Sequence, residues 1–416
     1  MTKRSLAHRS RLTLLALLAT VAGCSGSKEL TCATDQHVCA NTCVALQTDS
    51  KNCGSCGSVC GAGQGCSAGA CVDCAANPAA CTAAVAAACF ATNDVRFLGE
   101  DLSVIGPPLA VGNGPNSITR IGGTFYVAND MSSDVTPFTL APLEPGAAVQ
   151  VPFSGALGDL STIAEGAGLL WASNDNAQTL VVIDPAAARV IAELPLAQTA
   201  GENVNPKGIA FLGSKAYLAL YNAGAVAVLD VSTPTAPKVL KRIDVTKYAT
   251  APATASPSRV LLANGKIYVA LANIQDPAYA KVAGAHGKLV VIDPATDTVT
   301  GDAALDLGPD CLDASALALS GTTLWVGCGY DDFVTGVAGG GLLPVSIAGA
   351  APQPGAIVKS TSAIDALALC AGKGYAGAAE SGKVLQFDVT TGAIVSSADI
   401  CPVAGYAFVA DLACVR

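Results

Sequence analysis

From Val95 to the C-terminus, apolar residues recur in one setting. An apolar segment is followed by a Gly turn and then by an aromatic residue inside a second apolar segment, as in "KGIAFLGSKAY" and "RVLLANGKIY". Six aromatic residues stand there: Tyr126 in "TFYVAND", Trp171 in "LLWASND", Tyr217 in "KAYLALYN", Tyr268 in "KIYVALAN", Trp325 in "TLWVGCGY" and Tyr375 in "KGYAGAAE". Their spacings are 45, 46, 51, 57 and 50 residues. After most of them comes a β-branched run ending in Asp ("LVVIDP" at Leu180, "VAVLDV" at Val226, "LVVIDP" at Leu289, "VLQFDV" at Val384) and then a further short strand such as "ATDTVTGD". That makes four short strands per repeat with turn residues between them. Four-stranded repeats of this length predict a β-propeller, whereas stacked β-sandwiches lack such a long period. Six repeats are complete. The pieces "DVRFLGEDLSVIGPPLAV" and "YAFVADLACVR" at the two ends together supply a seventh blade, which would leave no exposed sheet edge. The fold class expected is all-β, a seven-bladed propeller preceded by a disulfide-rich module and a short helical linker.

The patterning upstream is different. Lys3, Arg4, Arg9 and Arg11 precede the apolar run Leu12–Ala22, with Gly23 and Cys24 after it. This is the layout of a secretory signal, and the run is too short to span a membrane. Eight of the 17 cysteines then fall between Cys32 and Cys71: Cys32, Cys39, Cys43, Cys53, Cys56, Cys60, Cys66 and Cys71. An exported segment this small, with almost no large apolar side chain, reads as a disulfide framework that replaces a core. A zinc ribbon is the competing reading, since Cys53-x2-Cys56 and Cys71-x2-Cys74 form two knuckles, but Cys60 and Cys66 between them would be left over. The stretch from Cys74 to Asn93 is alanine-rich, and Pro78 suits a helix start, so a helix is predicted over Ala79–Phe90. The helix carries Cys81 and Cys89, and the stretch as a whole holds three cysteines, Cys74, Cys81 and Cys89. The remainder holds Cys311, Cys328, Cys370, Cys401 and Cys414. Three and five are both odd, so at least one bridge should join the linker to the propeller, and Cys89 with Cys414 could pin the seventh blade. The boundaries that follow are a signal peptide at 1–23, a tether at 24–31, the disulfide-rich module at 32–74, the helical linker at 75–94 and the propeller at 95–416.

Three resemblances add to this reading. "VAGC" at the end of the apolar run resembles the lipobox of bacterial lipoproteins. That implies cleavage before Cys24, lipidation of Cys24 and, with Ser25 rather than Asp next, an outer-membrane anchor. "NCGSCGSVCGAGQGCSAGAC" at 52–71 resembles the cysteine-rich repeat of the stigma-specific protein family, which implies an extracellular disulfide-bonded module without catalytic residues. "FYVAND" and "IYVALAN" resemble the YVTN-type, lactonase-like propeller superfamily, whose members include lactone hydrolases, surface-layer proteins and binding scaffolds.

Charge narrows the function classes. Without the first 23 residues, 19 basic and 32 acidic residues remain, a formal net charge of −13. With no basic stripe, nucleic acid is not an expected partner. Propeller ligands enter at the central channel, so the polar residues just before each inner strand are the expected mouth: Asn116, Ser161, Lys207, Ser258, Ser315, Asp365 and Tyr406, with Arg259 and Asp313 beside them. These are either a ligand site or a hydrated channel lining. Beyond the signal segment the chain has two histidines, His37 and His286, and neither falls at this mouth. A His-based triad or metal cluster is therefore not expected, nor is a cofactor, and no nucleotide or GxSxG motif occurs. The acidic loops "NDMSSD" and "GYDDF" read as solvated turns. The leading expectation is a lipid-anchored, non-enzymatic envelope protein whose propeller binds an envelope or extracellular protein or a small ligand. A lactonase-like hydrolase using Asp313 and Asp365, and a structural envelope component, are the alternatives.

Overall fold

The computed structural model describes residues 32, 36–40, 42–61, 63–151, 159–274, 282, 284–332, 337–379, 381–401 and 408–415. The signal segment, Cys24, the whole tether and Tyr406 lie outside these residues. Seven antiparallel sheets follow one another, each starting from an inner strand: Pro115–Ile121, Leu160–Gly166, Pro206–Leu212, Pro257–Ala263, Ala314–Ser320, Ile364–Cys370 and Val409–Cys414. These define blades 1 to 7. In blades 1 to 6 the chain runs outward by consecutive strands. Blade 7 is composite: the C-terminal Val409–Cys414 is innermost and pairs with Val85–Cys89, which pairs with Asp94–Leu98 and then Leu109–Ala110. The C-terminus thus supplies one strand and the N-terminal side three. Pairing the two ends of the chain closes the ring.

The six marker aromatics occupy one position in the second strand of blades 1 to 6, and all are buried. Each lies opposite the residue four places after the start of the neighbouring inner strand: Tyr126 opposite Thr119, Trp171 opposite Ala164, Tyr375 opposite Ala368. Trp171 packs across the gap between blades 2 and 3, its ring centroid 5.6 Å from Phe211, and Trp325 lies 5.1 Å from Phe387 of blade 6. These wedges fill the space between successive blades.

The alanine-rich stretch departs from expectation. The helix is one short turn, Pro78–Thr82, and the chain then becomes the fully buried strand "VAAAC", Val85–Cys89. Blade 7 therefore starts ten residues before the expected boundary at 95. In register, Ala86 stands opposite Ala413, at the position that the aromatic markers hold in the other blades. Helix propensity is a weak prior, and two strand partners plus burial on both faces override it. Small side chains suit this strand because Ala79, Ala80, Ala83, Phe97 and Phe125 crowd one side of it.

All sixteen cysteines from Cys32 on are paired. The first eight pair among themselves, as Cys32–Cys43, Cys39–Cys56, Cys53–Cys66 and Cys60–Cys71. Cys74–Cys81 ties the module to the short helix, and Cys311–Cys328 lies within blade 5. The parity argument holds, but the partner differs: Cys89 bonds Cys401, and Cys414 bonds Cys370. Cys89 and Cys414 sit at opposite ends of their antiparallel strands, Cys414 opposite Val85, so they cannot meet. The module does not float. Val72 of its hairpin Gln64–Ser67/Ala70–Asp73 packs on the cluster of Phe97, Phe125 and Phe138. Ala68 approaches so closely that a Cβ on Gly123 would lie 2.1 Å from the Ala68 methyl.

Candidate functional site at the propeller mouth

Every inner strand carries a β-bulge at its mouth end. The register slips between Pro115/Ser117, Leu160/Thr162, Pro206/Ile209, Pro257/Arg259, Ala314/Ala316, Ile364/Ala366 and Val409/Asp411. A bulge leaves its extra residue unpaired and re-aims its side chain. The extra residues are Asn116, Ser161, Lys207, Ser258, Ser315, Asp365 and Ala410. All of them line one cavity of about 220 Å³, together with Tyr221, Arg259, Asp313 and Phe408. Six of the seven expected ring positions thus coincide with bulge residues. The seventh bulge residue is Ala410, in the closing inner strand that starts at Val409, and the expected Tyr406 lies outside the described residues.

The ring positions have different jobs. Ser258 Oγ donates to the Ala314 carbonyl at 2.5 Å, and Ser315 Oγ donates to the Ile364 carbonyl at 2.9 Å. Ser161 Oγ lies 3.1 Å from the Pro206 carbonyl oxygen and 2.7 Å from Asp175 Oδ1. Each carbonyl belongs to the first residue of the next blade's inner strand, so these hydroxyls latch neighbouring blades. Between blades 7 and 1 the latch is Asp411, which accepts from Ser117 Oγ at 2.9 Å and from the Ile118 amide at 3.0 Å. Burial pushes the Asp411 carboxyl up, opposed by the Ile118 amide, by Arg259 and by its other donors. Asp411 was not among the expected residues. A lone acid inside the apolar "FVADLAC" was the signal that could have found it.

Charge concentrates in two places. On the side of blades 1 to 3, Lys207 forms an ion pair with Asp175. Burial pushes Asp175 up while Lys207 and Ser161 hold it back. Beside them Asp130 is pushed up to about 8, first by burial, then by its hydrogen bond with Asp159 and the charges of Asp159 and Asp175. Asp130 belongs to "NDMSSD", so that loop is not a solvated turn. Asp134 of the same loop is also buried and accepts from Asn129 Nδ2 at 2.7 Å. The side chains of Asp331 and Asp332 in the second acidic loop lie outside the described residues. On the side of blades 4 to 6, Arg259, Asp313 and Asp365 share the cavity wall. Burial raises Asp365 against the opposing pull of Ser315 and Arg259.

No histidine or cysteine lines the cavity among the described residues. His286 lies elsewhere, with Nδ1 2.9 Å from Asp306 Oδ1. The sulfurs of Cys53, Cys60 and Cys71 come within 4.8 Å of one another, but Cys53–Cys66 and Cys60–Cys71 are disulfides, so no thiolate is offered to a metal there. Eight disulfides are those of a chain that folds in an oxidising compartment. No helix among the described residues is long and apolar enough to cross a membrane.

Residues 21–97 match the Stigma-specific STIG1-like protein family. No curated protein matches the chain. Among solved structures, a functionally unknown protein from Desulfotomaculum acetoxidans is similar at 12% identity, over 80% of this chain and 99% of that chain, with a TM-score of 0.60. A provisionally assigned 6-phosphogluconolactonase from Bacteroides fragilis is similar at 10% identity, over 80% and 98%, with a TM-score of 0.58. Hydrazine synthase from Kuenenia stuttgartiensis follows at 16% identity, over 70% and 82%, with a TM-score of 0.52. At such identities the likeness is one of fold, and propellers host many activities. The chain thus joins a cysteine-rich module similar to the STIG1-like family to a seven-bladed propeller whose fold is shared with these solved structures.

Proposed function

We propose that the protein is an exported, non-enzymatic binding protein, anchored to the cell envelope by lipid on Cys24, whose propeller mouth receives its partner. The cysteine-rich module is a rigid mount between anchor and propeller. One observation carries the binding reading: the cavity gathers Lys207, Arg259, Asp313 and Asp365 from four different blades; Lys207 also ties blade 3 to Asp175 of blade 2, while Ser258, Ser315 and Asp411 latch other pairs of blades. Charged side chains from several blades converging on one cavity are the kind of group that fixes and orients a ligand. For hydrolysis the same cavity offers carboxylates without a histidine, so the binding reading asks less of it.

The test is chemical cross-linking on the native envelope, comparing wild type with the Lys207→Ala/Asp365→Ala double variant. A partner captured by wild type and lost from the variant is the expected result. Capture indifferent to the two changes would overturn the mouth as the binding site. Labelling with radioactive palmitate, lost in Cys24→Ser, tests the anchor.

A further inference from the structure

The charges around the mouth are ordered. Blades 3 and 4 contribute Lys207 and Arg259, and blades 5 and 6 contribute Asp313 and Asp365. Two aromatic side chains, Tyr221 and Phe408, complete the wall. The cavity is therefore dipolar, cationic on one side and anionic on the adjacent side. The two cations are not equivalent. Lys207 is engaged by Asp175. Arg259 lines the cavity half-exposed and makes no ion-pair contact among the described residues, though its charge acts on both Asp365 and Asp411. A guanidinium carries five N–H donors in a planar fork that matches a carboxylate.

Size and charge together restrict what fits. A cavity of about 220 Å³ holds roughly seven waters at about 30 Å³ each, below the range of about 300–1,000 Å³ for drug-sized ligands. A plain anion would satisfy Arg259 but would face Asp313 and Asp365. A plain cation would satisfy the carboxylates and be repelled by Arg259. A small molecule carrying both charges meets both walls, with no net charge taken into the cavity. Its apolar part would lie against Phe408 and Tyr221. We infer that the mouth binds a small zwitterion of the α-amino-acid type, its carboxylate on Arg259 and its ammonium on Asp313 and Asp365. This rests on the reading of the mouth as a binding site and names the ligand class.

Calorimetric titration of the oxidised mature chain with the common amino acids, acetate, methylamine and phosphoethanolamine tests it. One or more amino acids should bind, with acetate and methylamine at least about tenfold weaker, equivalent to about 1.4 kcal/mol. Arg259→Met and Asp365→Asn should each weaken that binding by about tenfold or more, and Arg259→Lys by less than Arg259→Met. The thermal transition of each variant reports folding. If Arg259→Met does not fold, Arg259→Lys and Asp365→Asn still decide. Acetate or methylamine binding as tightly as the best amino acid would overturn the zwitterion. Preference for phosphoethanolamine would overturn the carboxylate on Arg259. In either case, loss of that binding in Arg259→Met leaves the mouth standing as a binding site. No amino acid bound by the folded chain overturns the inference, and amino-acid binding unchanged in all three variants places it elsewhere and overturns it too.

Discussion

The cysteine-rich module and the propeller use the same covalent bond for different ends. In the module, four disulfides close loops with sequence separations of 11 to 17 residues. The buried apolar side chains of 32–74 among the described residues are themselves half-cystines: Cys39, Cys53 and Cys66. Cross-links there stand in for a core. The propeller is packed from blade to blade around buried tryptophans, tyrosines and phenylalanines. Its Cys89–Cys401 bridge, 312 residues apart in sequence, fastens a seam that strand pairing already closes. A cysteine thus carries different structural weight according to the density of large apolar residues around it.

Reduction should separate the two regions most sharply. Each module bridge contributes about 3 kcal/mol on the chain-entropy model, and the sum is comparable with the roughly 5–15 kcal/mol that stabilises a typical domain. Full reduction in native buffer should abolish amide protection across the hairpins at 37–44 and 64–73 while blades 2 to 4 keep theirs. Hydrogen exchange with mass spectrometry reads both at once. A module still protected after reduction would mean that it has a packed core of its own.

The converse perturbation is Trp171→Ala. It removes a fully buried wedge between blades 2 and 3, at about 3–5 kcal/mol. Denaturant unfolding should register that loss in the propeller, while mass mapping finds the module's disulfide pattern unchanged. A loss well below about 2 kcal/mol would mean that the neighbouring blades collapse into the gap.

How far these regions could be read in advance differs for the same physical reason. The propeller repeats, so one aromatic position located six blades and six of the seven mouth positions. Blade 7 breaks the repeat twice: Ala86 replaces the aromatic, and the blade is assembled from both ends of the chain. Its alanines read as helix in the sequence, and its bulge residue is Ala410, which no polar side chain marks. Asp130 escapes because its burial is a long-range fact, and for Asp411 the apolar setting is local but its partners are not. Nothing local reveals that the loop holding Asp130 meets Asp159 and Asp175, or that Asp411 receives two donors from blade 1. In the module the even cysteine count gave the framework, but pairing depends on three-dimensional approach alone.

Charge sharpens the contrast by a smaller amount. Burial raises Asp130, Asp175, Asp365 and Asp411 in the propeller. In the module, Asp49 is lowered by its hydrogen bond from Asn52. A raised carboxyl means that the folded state holds its proton over a range where the unfolded state has lost it, so stability falls as pH rises through that range. For Asp130 the range runs from its ordinary 3.8 to about 8. The lowered Asp49 works the other way, its contribution being present above 3.8 and lost below. Asp130→Asn should therefore raise the melting temperature of the propeller at pH 8 and leave it nearly unchanged at pH 4. An equal gain at both pH values would show that side-chain packing rather than ionisation is responsible.

The finest distinction is whether the two regions are one body. The hairpin of the module rests on the turn of blade 1, where Gly123 leaves space for Ala68. A side chain on Gly123 cannot share that space, since even a Cβ would fall 2.1 Å from the Ala68 methyl. Gly123→Val should push the hairpin off without disturbing either interior, costing about 1–3 kcal/mol of overpacking at the contact. Exchange should then rise at 64–73 and at the Thr124–Asn129 strand beside the turn, with blades 3 to 5 unaffected and every disulfide intact. If exchange rises across all seven blades instead, the module is part of the propeller's stability and the two regions form a single cooperative unit. If nothing changes, the contact between Ala68 and Gly123 is yielding, and Val72 together with the Cys74–Cys81 bridge holds the module in place.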